Sequence, residues 1–368
     1  MSDMSGRYRV IQWGTGETGV QALRFMLAAH DLEIVGVRCH TKAREGKSVA
    51  EIAGAPDGPP VAATTDVSAL MALNADCVLY MPRDPLVDPT ASEKGLPEWV
   101  HEIGGLLRHG LNVISPLQSG MHWRQLAHGE VLRRFLTEAG EAGNATVHFT
   151  GYDPGFLNDE LLVTLTSAVG NIGQIRTTEV IDFGPYTGTA LLETMGFGAA
   201  PREDDADETL IPNWGCALWR VADALGIELD AIVAHMESYT ATEDFTSDGG
   251  LRIAAGTVGA KRWSLTGCVS GVERIVTSHV SRVGDHMAPD WPRIGAFGGF
   301  GIEIDGQPPL RVDIPLGLPG GSGSTLGDAV RMTAARCVNA IATVVAAKPG
   351  YLLPRDAPVF GARHTFGP

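Results

Sequence analysis

The sequence predicts an α/β protein in which a doubly wound parallel sheet comes first and a second α+β domain with an open mixed sheet follows. Two observations predict this architecture. From Arg7 to about Gly151, short apolar runs alternate with longer amphipathic segments, which is typical of β–α–β units. Beyond Gly151, long β-rich segments replace that alternation. The length of 368 residues is sufficient for two domains, each with its own core.

The first half of the chain is predicted to contain strands that alternate with helices. The helix that begins at Thr18 carries Val20, Leu23 and Met26 on one face. Asp66 is a suitable N-cap for the next helix. The predicted strands are residues 9–13, 32–39, 75–81, 111–115 and 145–151, and the predicted helices are residues 18–30, 66–73, 97–109 and 123–142.

The second half of the chain is predicted to form a mixed or antiparallel sheet. Its β-rich segments are residues 173–184, 273–283 and 301–316, and Asp305-Gly306 in the last of them predicts a tight hairpin turn. Helices are predicted over residues 213–225 and 326–347. We therefore expect one domain over residues 1–153, a second over 154–325, and a C-terminal helix and tail over 326–368.

Composition and charge are those of a soluble globular protein. Hydrophobic residues make up 44% and charged residues 19%, and the formal net charge of −15 argues against a nucleic-acid-binding surface. The five cysteines are dispersed, which predicts neither a disulfide framework nor a zinc site, and we expect no metal. The N-terminus lacks an apolar signal region, and Arg331 and Arg336 interrupt the most apolar helix. We expect a cytoplasmic protein without a membrane segment.

A glycine-rich loop follows the first predicted strand. Residues 14–19, GTGETG, fit G-x-G-x-x-G, with a strand before the loop and a helix after it. In Rossmann domains these glycines permit a tight turn, close approach of a pyrophosphate and packing of the helix on the strand, while the helix N-terminus attracts the phosphates. We expect a nicotinamide dinucleotide here, bound by Gly14, Thr15, Gly16, Thr18 and Gly19.

The end of the second predicted strand indicates which dinucleotide is bound. A carboxylate at this position would bind the ribose hydroxyls and repel a 2′-phosphate. The chain instead carries Arg38, His40 and Lys42, which supply positive charge and hydrogen-bond donors for a 2′-phosphate. We expect NADP, with use of NAD left open; the alternative is that these are ordinary exposed cations.

Several segments also carry a family resemblance. They are VIQWGTGETGVQALR, DLEIVGVRCHT, ADCVLYMP, GLNVISP, GYDPGFLND, ETMGFG and AARCVNAIATVVAAKPG, and they follow one another along most of the chain. The chain resembles the dihydrodipicolinate reductase-like NAD(P)-dependent oxidoreductases, in particular actinobacterial members related to 2,4-diaminopentanoate dehydrogenase and the native amine dehydrogenases. The resemblance implies a Rossmann domain, a second domain with an open mixed sheet, a C-terminal helix that returns to the first domain, a site in the cleft between them, and a homodimer.

The resemblance also implies hydride transfer between NAD(P)H and a C=N or C=C–C=N group. It places the nicotinamide near the loops after the third and fourth strands, which assigns to the cofactor Met81, Pro82, Arg83 and Ser115. The chain departs from the family in two places. It lacks the histidine-pair and lysine motif and the Gly-Thr clamp of dihydrodipicolinate reductases, and residues 116–119, PLQS, lack the acidic residues that amine dehydrogenases carry there.

Candidate catalytic groups follow the predicted parallel strands, because open α/β sheets bind ligands at the carboxyl ends of their strands. These candidates are Gln118, His122 and Tyr152, and His122 or Tyr152 is a suitable proton donor. The alternative for each is a local hydrogen bond within its loop. On the substrate side we expect Asn158, Glu179, Tyr186 and Met195, whereas His279 is predicted to be structural.

Three functions are consistent with these residues. The first is an NADP-dependent oxidoreductase that transfers hydride to or from a C=N or C=O group of a small, fairly apolar molecule. The second is an NAD(P)-dependent amine dehydrogenase with a relocated acid. The third is a non-catalytic NADP-binding sensor, and in each case we expect a small-molecule ligand and neither nucleic acid nor membrane as a partner.

Overall fold

The computed structural model describes residues 6–82, 95–121, 123, 129–201 and 210–362. The chain divides into two compact units. Unit 1 comprises Met1–Phe156 and Val330–Pro368, and unit 2 comprises Leu157–Ala329. Over the described ranges, none of the helices combines the length and apolar character that crossing a bilayer would require.

Unit 1 contains a seven-stranded sheet in which all neighbouring strands are parallel. The strand order is β15-β6-β5-β4-β1-β2-β3. This confirms the predicted doubly wound sheet, and the first strand, the glycine loop and the second strand form one β–α–β unit. The strands are β1 (Tyr8–Trp13), β2 (Leu32–Arg38), β3 (Ala63–Thr64), β4 (Cys77–Tyr80), β5 (Asn112–Ser115), β6 (Thr146–Phe149) and β15 (Gly350–Tyr351).

Helices cover both faces of this sheet because its strands are apolar on both sides. On one face Val10 and Leu79 pack with residues of α1, α11 and α12, and on the other Ile11 and Val78 pack with residues of α4 and α6. As predicted, the Asp66 side chain caps α3 and accepts from Ala69 N at 3.0 Å. The helices are α1 (Glu17–Ala28), α2 (Val49–Ala53), α3 (Val67–Met71), α4 (Glu98–Arg108), α5 (Gln118–Met121), α6 (Gly129–Gly143), α11 (Thr325–Asn339) and α12 (Ile341–Val345).

Unit 2 contains a six-stranded mixed sheet, as predicted. Its order is β14-β13-β7-β12-β11-β8, and only β7 and β12 run parallel to each other. The six strands are β7 (Gly170–Asp182), β8 (Ala231–Thr240), β11 (Val258–Val269), β12 (Val272–Arg282), β13 (Gly298–Gln307) and β14 (Leu310–Pro315), and β9 (Phe245–Thr246) and β10 (Arg252–Ile253) form a separate antiparallel pair. The helices are α7 (Leu162–Thr166), α8 (Thr189–Thr194), α9 (Leu210–Trp214) and α10 (Cys216–Leu225).

The hairpin turn predicted at Asp305-Gly306 is wrong. Strand β13 continues through both residues, Asp305 still pairs with Gln174 of β7, and the chain reverses between Gln307 and Leu310. A Cβ on Gly306 would lie 2.4 Å from Val169 Cγ1. This glycine therefore permits a close approach between chain segments, and it does not form a turn.

Two predicted helices are each divided. The helix expected over residues 213–225 is formed by α9 and α10, and that expected over 326–347 by α11 and α12. Ala340, which joins the latter two, keeps right-handed helical angles of φ −74° and ψ −15°.

A buried arginine anchors the segment between β12 and β13. Arg282 is 2% exposed, and its guanidinium donates to four backbone carbonyls. Burial and the neighbouring Arg293 cation lower the pKa of Arg282 to about 10. The side chain therefore stays charged at neutral pH, and its charge is balanced by carbonyl dipoles. The carbonyls belong to Met287, Ala288, Trp291 and Pro292.

Candidate active site

The loop after β1 has the tight backbone contacts that a dinucleotide-binding loop requires. Gly14 has φ of 106°, and its N–H donates to Arg38 O at 2.9 Å. A Cβ on Gly14 would lie 2.2 Å from Met81 O, and one on Gly19 would lie 2.3 Å from Gly14 O. Only glycine fits at either position, so β1, β4 and the start of α1 approach one another closely here.

Gly16, by contrast, lies beside open space. It is the N-cap of α1 with φ −72° and ψ −174°, and as a glycine it brings no capping side chain to this 12-residue helix. A Cβ on Gly16 would meet no atom of the described residues within 4 Å. An uncapped helix N-terminus next to free volume suits a pyrophosphate, because its first N–H groups need acceptors. The loop, which includes Thr15 and Thr18, therefore fits the expected cofactor.

Arg38 ends β2 and stacks over the ring of Trp13, with 5.7 Å between its Cζ and the ring centroid. Its Nη1 donates to Cys39 O. Its Nε is buried and has no hydrogen-bond partner within the described part of the chain. Leaving a buried N–H unpaired costs about 1–3 kcal/mol. An anion bound at this end of β2 would remove that cost, so the residues present fit a phosphate.

Tyr80 and Glu102, which the sequence did not single out, lie close to this arginine. The Tyr80 hydroxyl donates to Glu102 Oε2, and burial together with this hydrogen bond raises the pKa of Tyr80. Partial burial and the Arg38 cation lower the pKa of His40, an effect that Glu102 opposes. His40 is therefore neutral at pH 7 and offers an N–H donor, while Arg38 carries the positive charge.

Most of the predicted cofactor-side groups lie along one edge of the unit 1 sheet. The strands β6, β5, β4, β1 and β2 are consecutive neighbours, so their carboxyl ends share that edge. Met81 N donates to Trp13 O at 2.7 Å, and the fully buried Ser115 accepts from Leu117 N at 3.2 Å through its hydroxyl. This edge brings together the glycine loop, Arg38, Met81, Pro82, Ser115, Gln118 and Tyr152.

The predicted catalytic candidates of unit 1 have different environments. Gln118 begins α5 and is half-buried. Tyr152 follows β6, is 2% exposed, and its backbone N–H donates to Thr333 Oγ1 at 3.3 Å. The third catalytic candidate, His122, and the cofactor-side candidate Arg83 lie outside the described residues.

Asn158 lies in a π-helical turn, Leu157–Leu161, at the start of unit 2. Asn158 is 8% exposed, and the next residue, Asp159, forms a largely buried ion pair with Arg220 at 2.7 Å. Such turns are rare and often occur at functional sites. Periodicity in the sequence does not distinguish one from an α-helix, which is why the turn was not predicted.

The other substrate-side candidates lie in two parts of unit 2. Tyr186 and Met195 pack against the same apolar cluster, which contains Phe183 and Phe197. Glu179 is instead on β7, 9% exposed, and its Oε2 lies 2.9 Å from His279 Nε2. The structure therefore places Tyr186 and Met195 at the same cluster. It places Glu179 beside His279, which the sequence analysis did not connect with Glu179.

Comparison with known proteins decides the family. The model of the 2,4-diaminopentanoate dehydrogenase C-terminal domain matches residues 156–365, more than half of the chain. An amine dehydrogenase from Streptomyces virginiae is 30% identical over 357 residues, which cover 95% of this chain and 96% of that protein. The chain belongs to this amine and diaminopentanoate dehydrogenase family.

A second curated relative agrees with this assignment, and a solved structure agrees with the fold. The 2,4-diaminopentanoate dehydrogenase of Acetoanaerobium sticklandii is 26% identical over 96% of this chain and 94% of its own length. The solved structure of an amine dehydrogenase from Mycobacterium smegmatis has the same fold, with a TM-score of 0.73 at 17% identity over 99% of both chains. Family membership confirms the predicted enzyme class, an NAD(P)-dependent oxidoreductase, and the predicted fold.

Proposed function

We propose that the chain is an NADP-preferring amine dehydrogenase that acts on a small, fairly apolar amine as a homodimer. The observation that carries the proposal is the 30% identity to an amine dehydrogenase across 95% of the chain. A second named relative acts on 2,4-diaminopentanoate, which also carries amino groups. These relatives favour chemistry at a carbon–nitrogen bond over reduction of a free carbonyl.

The chain's own groups comprise candidates for holding the cofactor and candidates for binding the substrate. The cofactor accepts or donates a hydride when it is bound. The amides at Gly16 and the start of α1 would hold its pyrophosphate, and Arg38 its 2′-phosphate. Ser115, Gln118 and Tyr152 remain our candidates for orienting nicotinamide and substrate, and Asn158, Tyr186 and Met195 for the substrate side.

Ammonia dependence tests this function directly. NADPH oxidation with cyclohexanone is expected only when ammonia is present, because hydride then reaches an imine, and cyclohexylamine is expected to reduce NADP⁺. Turnover of cyclohexanone without ammonia would identify a carbonyl reductase. Tight NADPH binding without turnover on a panel of ketones, aldehydes, amines and preformed imines would favour the sensor.

Replacing Arg38 tests the cofactor preference. Arg38→Asp removes a charge-assisted hydrogen bond and adds a repulsive carboxylate, so the Kd for NADPH is expected to rise by about 100-fold, since such bonds contribute about 1.5–3 kcal/mol. The Kd for NADH should change less than about threefold, because NADH has no 2′-phosphate. Fluorescence titration with both cofactors measures the two constants.

The control for this variant is Arg134→Asp, which makes the same change of charge on the exposed face of α6. It should leave both dissociation constants unchanged. If Arg38→Asp weakened the binding of NADPH and of NADH equally, Arg38 would not be the residue that recognises the 2′-phosphate.

A further inference from the structure

A chain of hydrogen bonds fixes the loop that follows β5. Ser115 Oγ accepts from Leu117 N at 3.2 Å, and Leu117 O accepts from Gly120 N at 3.1 Å. Gly120 O in turn accepts from the Tyr351 hydroxyl at 2.8 Å, although Tyr351 is 231 residues further along the chain. The first two bonds are local. The third connects the loop, which contains the candidate Gln118, to the C-terminal strand β15.

Packing holds the Tyr351 side chain in the position that this bond requires. Tyr351 is the last residue of β15, is half-buried, and pairs with Val147 of β6. Its ring lies 5.4 Å from that of Phe149, with 34° between the planes. A Cβ on Gly120 would lie 2.1 Å from Phe149 Cε1, so the backbone of α5 packs directly against this ring. Because these contacts already order the Tyr351 ring, little further side-chain entropy is lost when its hydroxyl bonds Gly120.

The loop that follows β6 is attached to the same C-terminal region, through α11. Tyr152 N donates to Thr333 Oγ1 at 3.3 Å, and the buried Cys337 Sγ donates to Thr150 O at 3.3 Å. Thr150 N also donates to Ser115 O at 3.0 Å, which joins the end of β6 to the end of β5. Side chains of α11 and β15 therefore hold both loops.

These two loops lie on one side of the glycine loop along the carboxyl edge of the sheet. In the order β15-β6-β5-β4-β1-β2-β3, the strand β1 separates β4, β5 and β6 from β2, which ends at Arg38. A dinucleotide with its pyrophosphate at the glycine loop and its adenosine at β2 would extend its nicotinamide half toward β4, β5 and β6. The loops held by Tyr351 and Thr333 are therefore on the nicotinamide side of this edge.

We propose that Tyr351 and Thr333 are positioning residues for the nicotinamide half of the cofactor, an inference that rests on the dinucleotide site of the proposed function. The Tyr351 hydroxyl holds the Gly120 carbonyl and, through it, the turn that contains Gln118. The Thr333 hydroxyl holds the N–H of Tyr152. Each acts through its loop, so loss of either hydroxyl loosens that loop and leaves the glycine loop and the end of β2 intact.

The expected loss of affinity follows from the fraction of time that a loop spends in its binding conformation. Net loss of one hydrogen bond shifts a conformational equilibrium by up to about tenfold. If the loop then spends about one tenth of its time in the arrangement that fits nicotinamide, the apparent Kd of the whole cofactor rises about tenfold. A ligand that lacks nicotinamide does not use this arrangement and keeps its affinity.

Paired ligands with and without nicotinamide test the assignment. NADPH is compared with 2′-phospho-ADP-ribose, and NADH with ADP-ribose, by isothermal titration. Tyr351→Phe removes only the hydroxyl and keeps the ring on Phe149, so the Kd values of NADPH and NADH are expected to rise about three- to tenfold. The Kd values of the two ligands without nicotinamide should change less than about 1.5-fold. A role in stability alone would weaken all four ligands together.

A second pair of variants provides a rescue. Thr333→Val removes the acceptor of the Tyr152 N–H and should weaken NADPH and NADH as Tyr351→Phe does, whereas Thr333→Ser keeps the hydroxyl and should bind both as the wild type does. Tyr8→Phe is the matched control, because Tyr8 begins β1 at the opposite, amino-terminal edge of the same sheet. It should leave all four constants unchanged. The threonine variants serve alone if Tyr351→Phe does not fold.

Two results would overturn the assignment. One is equal weakening of the ligands with and without nicotinamide by Tyr351→Phe, and the other is unchanged affinity of this variant for all four ligands. Wild-type protein that binds none of the four would overturn the dinucleotide site and this assignment together. Cofactor binding by the wild type without ammonia-dependent turnover would count against the amine dehydrogenase function alone, and the titrations would still decide the role of Tyr351.

Discussion

Gly16→Val is expected to weaken binding of NADPH and NADH alike by at least about 100-fold, equivalent to about 2.7 kcal/mol. The angles at Gly16, φ −72° and ψ −174°, are ones that valine adopts readily, and a Cβ there meets none of the described atoms within 4 Å. The fold should therefore tolerate the substitution. The new side chain instead occupies the volume beside the helix N-terminus that a pyrophosphate needs. The substitution is therefore expected to weaken cofactor binding without disturbing the fold.

The matched control for Gly16→Val is Gly105→Val. Gly105 lies on the exposed face of α4, and in the part of the chain that the structure describes no atom lies within 4 Å of an added Cβ there either. Isothermal titration with each cofactor measures affinity, and thermal unfolding shows that both variants fold. Unchanged affinity in a folded Gly16→Val protein would mean that no dinucleotide lies against this loop.

Arg282→Met is expected to lower the free energy of unfolding by about 3 kcal/mol, because removing a buried, charged hydrogen-bond donor leaves its acceptors unpaired. Four carbonyls between β12 and β13 lose their partner, at present 3.0–3.3 Å from the guanidinium nitrogens. Methionine has a similar length and is apolar, so the effect isolates the hydrogen bonds from the packing. Urea unfolding followed by circular dichroism measures the change.

An exposed arginine of the same sheet provides the comparison. Arg311 pairs with Glu303 at 2.8 Å and Asp313 at 3.2 Å, and its side chain is 59% exposed. Arg311→Met should cost less than about 1 kcal/mol, since exposed ion pairs contribute little. Similar losses for both variants would show that the segment after β12 does not depend on the buried guanidinium.

The local sequence predicted five strands of the parallel sheet, β1, β2, β4, β5 and β6, because each is a short apolar run between amphipathic segments. It did not predict β3 and β15, which are two-residue strands without such a run. It predicted unit 2 less well, because there the same sequence pattern can belong to two different backbone structures. Asp305-Gly306 matches a hairpin turn, yet Gly306 is required by a close contact with Val169 in a continuous strand. Only the register of β13 against β7 distinguishes a hairpin turn from a continuous strand, and register depends on contacts between residues distant in sequence.

The same limit applies to the candidate site. The glycine loop was predictable because its residues are adjacent in sequence and their spacing has a mechanism. The partnership of Glu179 with His279, and that of Tyr80 with Glu102, join residues on different elements. Alternation along each strand places Glu179 and His279 on buried faces, but nothing in the sequence shows that the two faces are the same one.

The position of β15 has a consequence for how the enzyme is made. Gly350 and Tyr351 pair with Thr146 and Val147 at the margin of the nucleotide-binding sheet, and Ala334, Cys337 and Ile341 contribute to its core. During synthesis, the sheet of unit 1 therefore cannot be completed until the chain has been translated through Tyr351. A chain truncated by a premature stop codon before α11 would leave apolar residues of this sheet exposed. Such a chain is expected to be prone to aggregation and to proteolytic degradation.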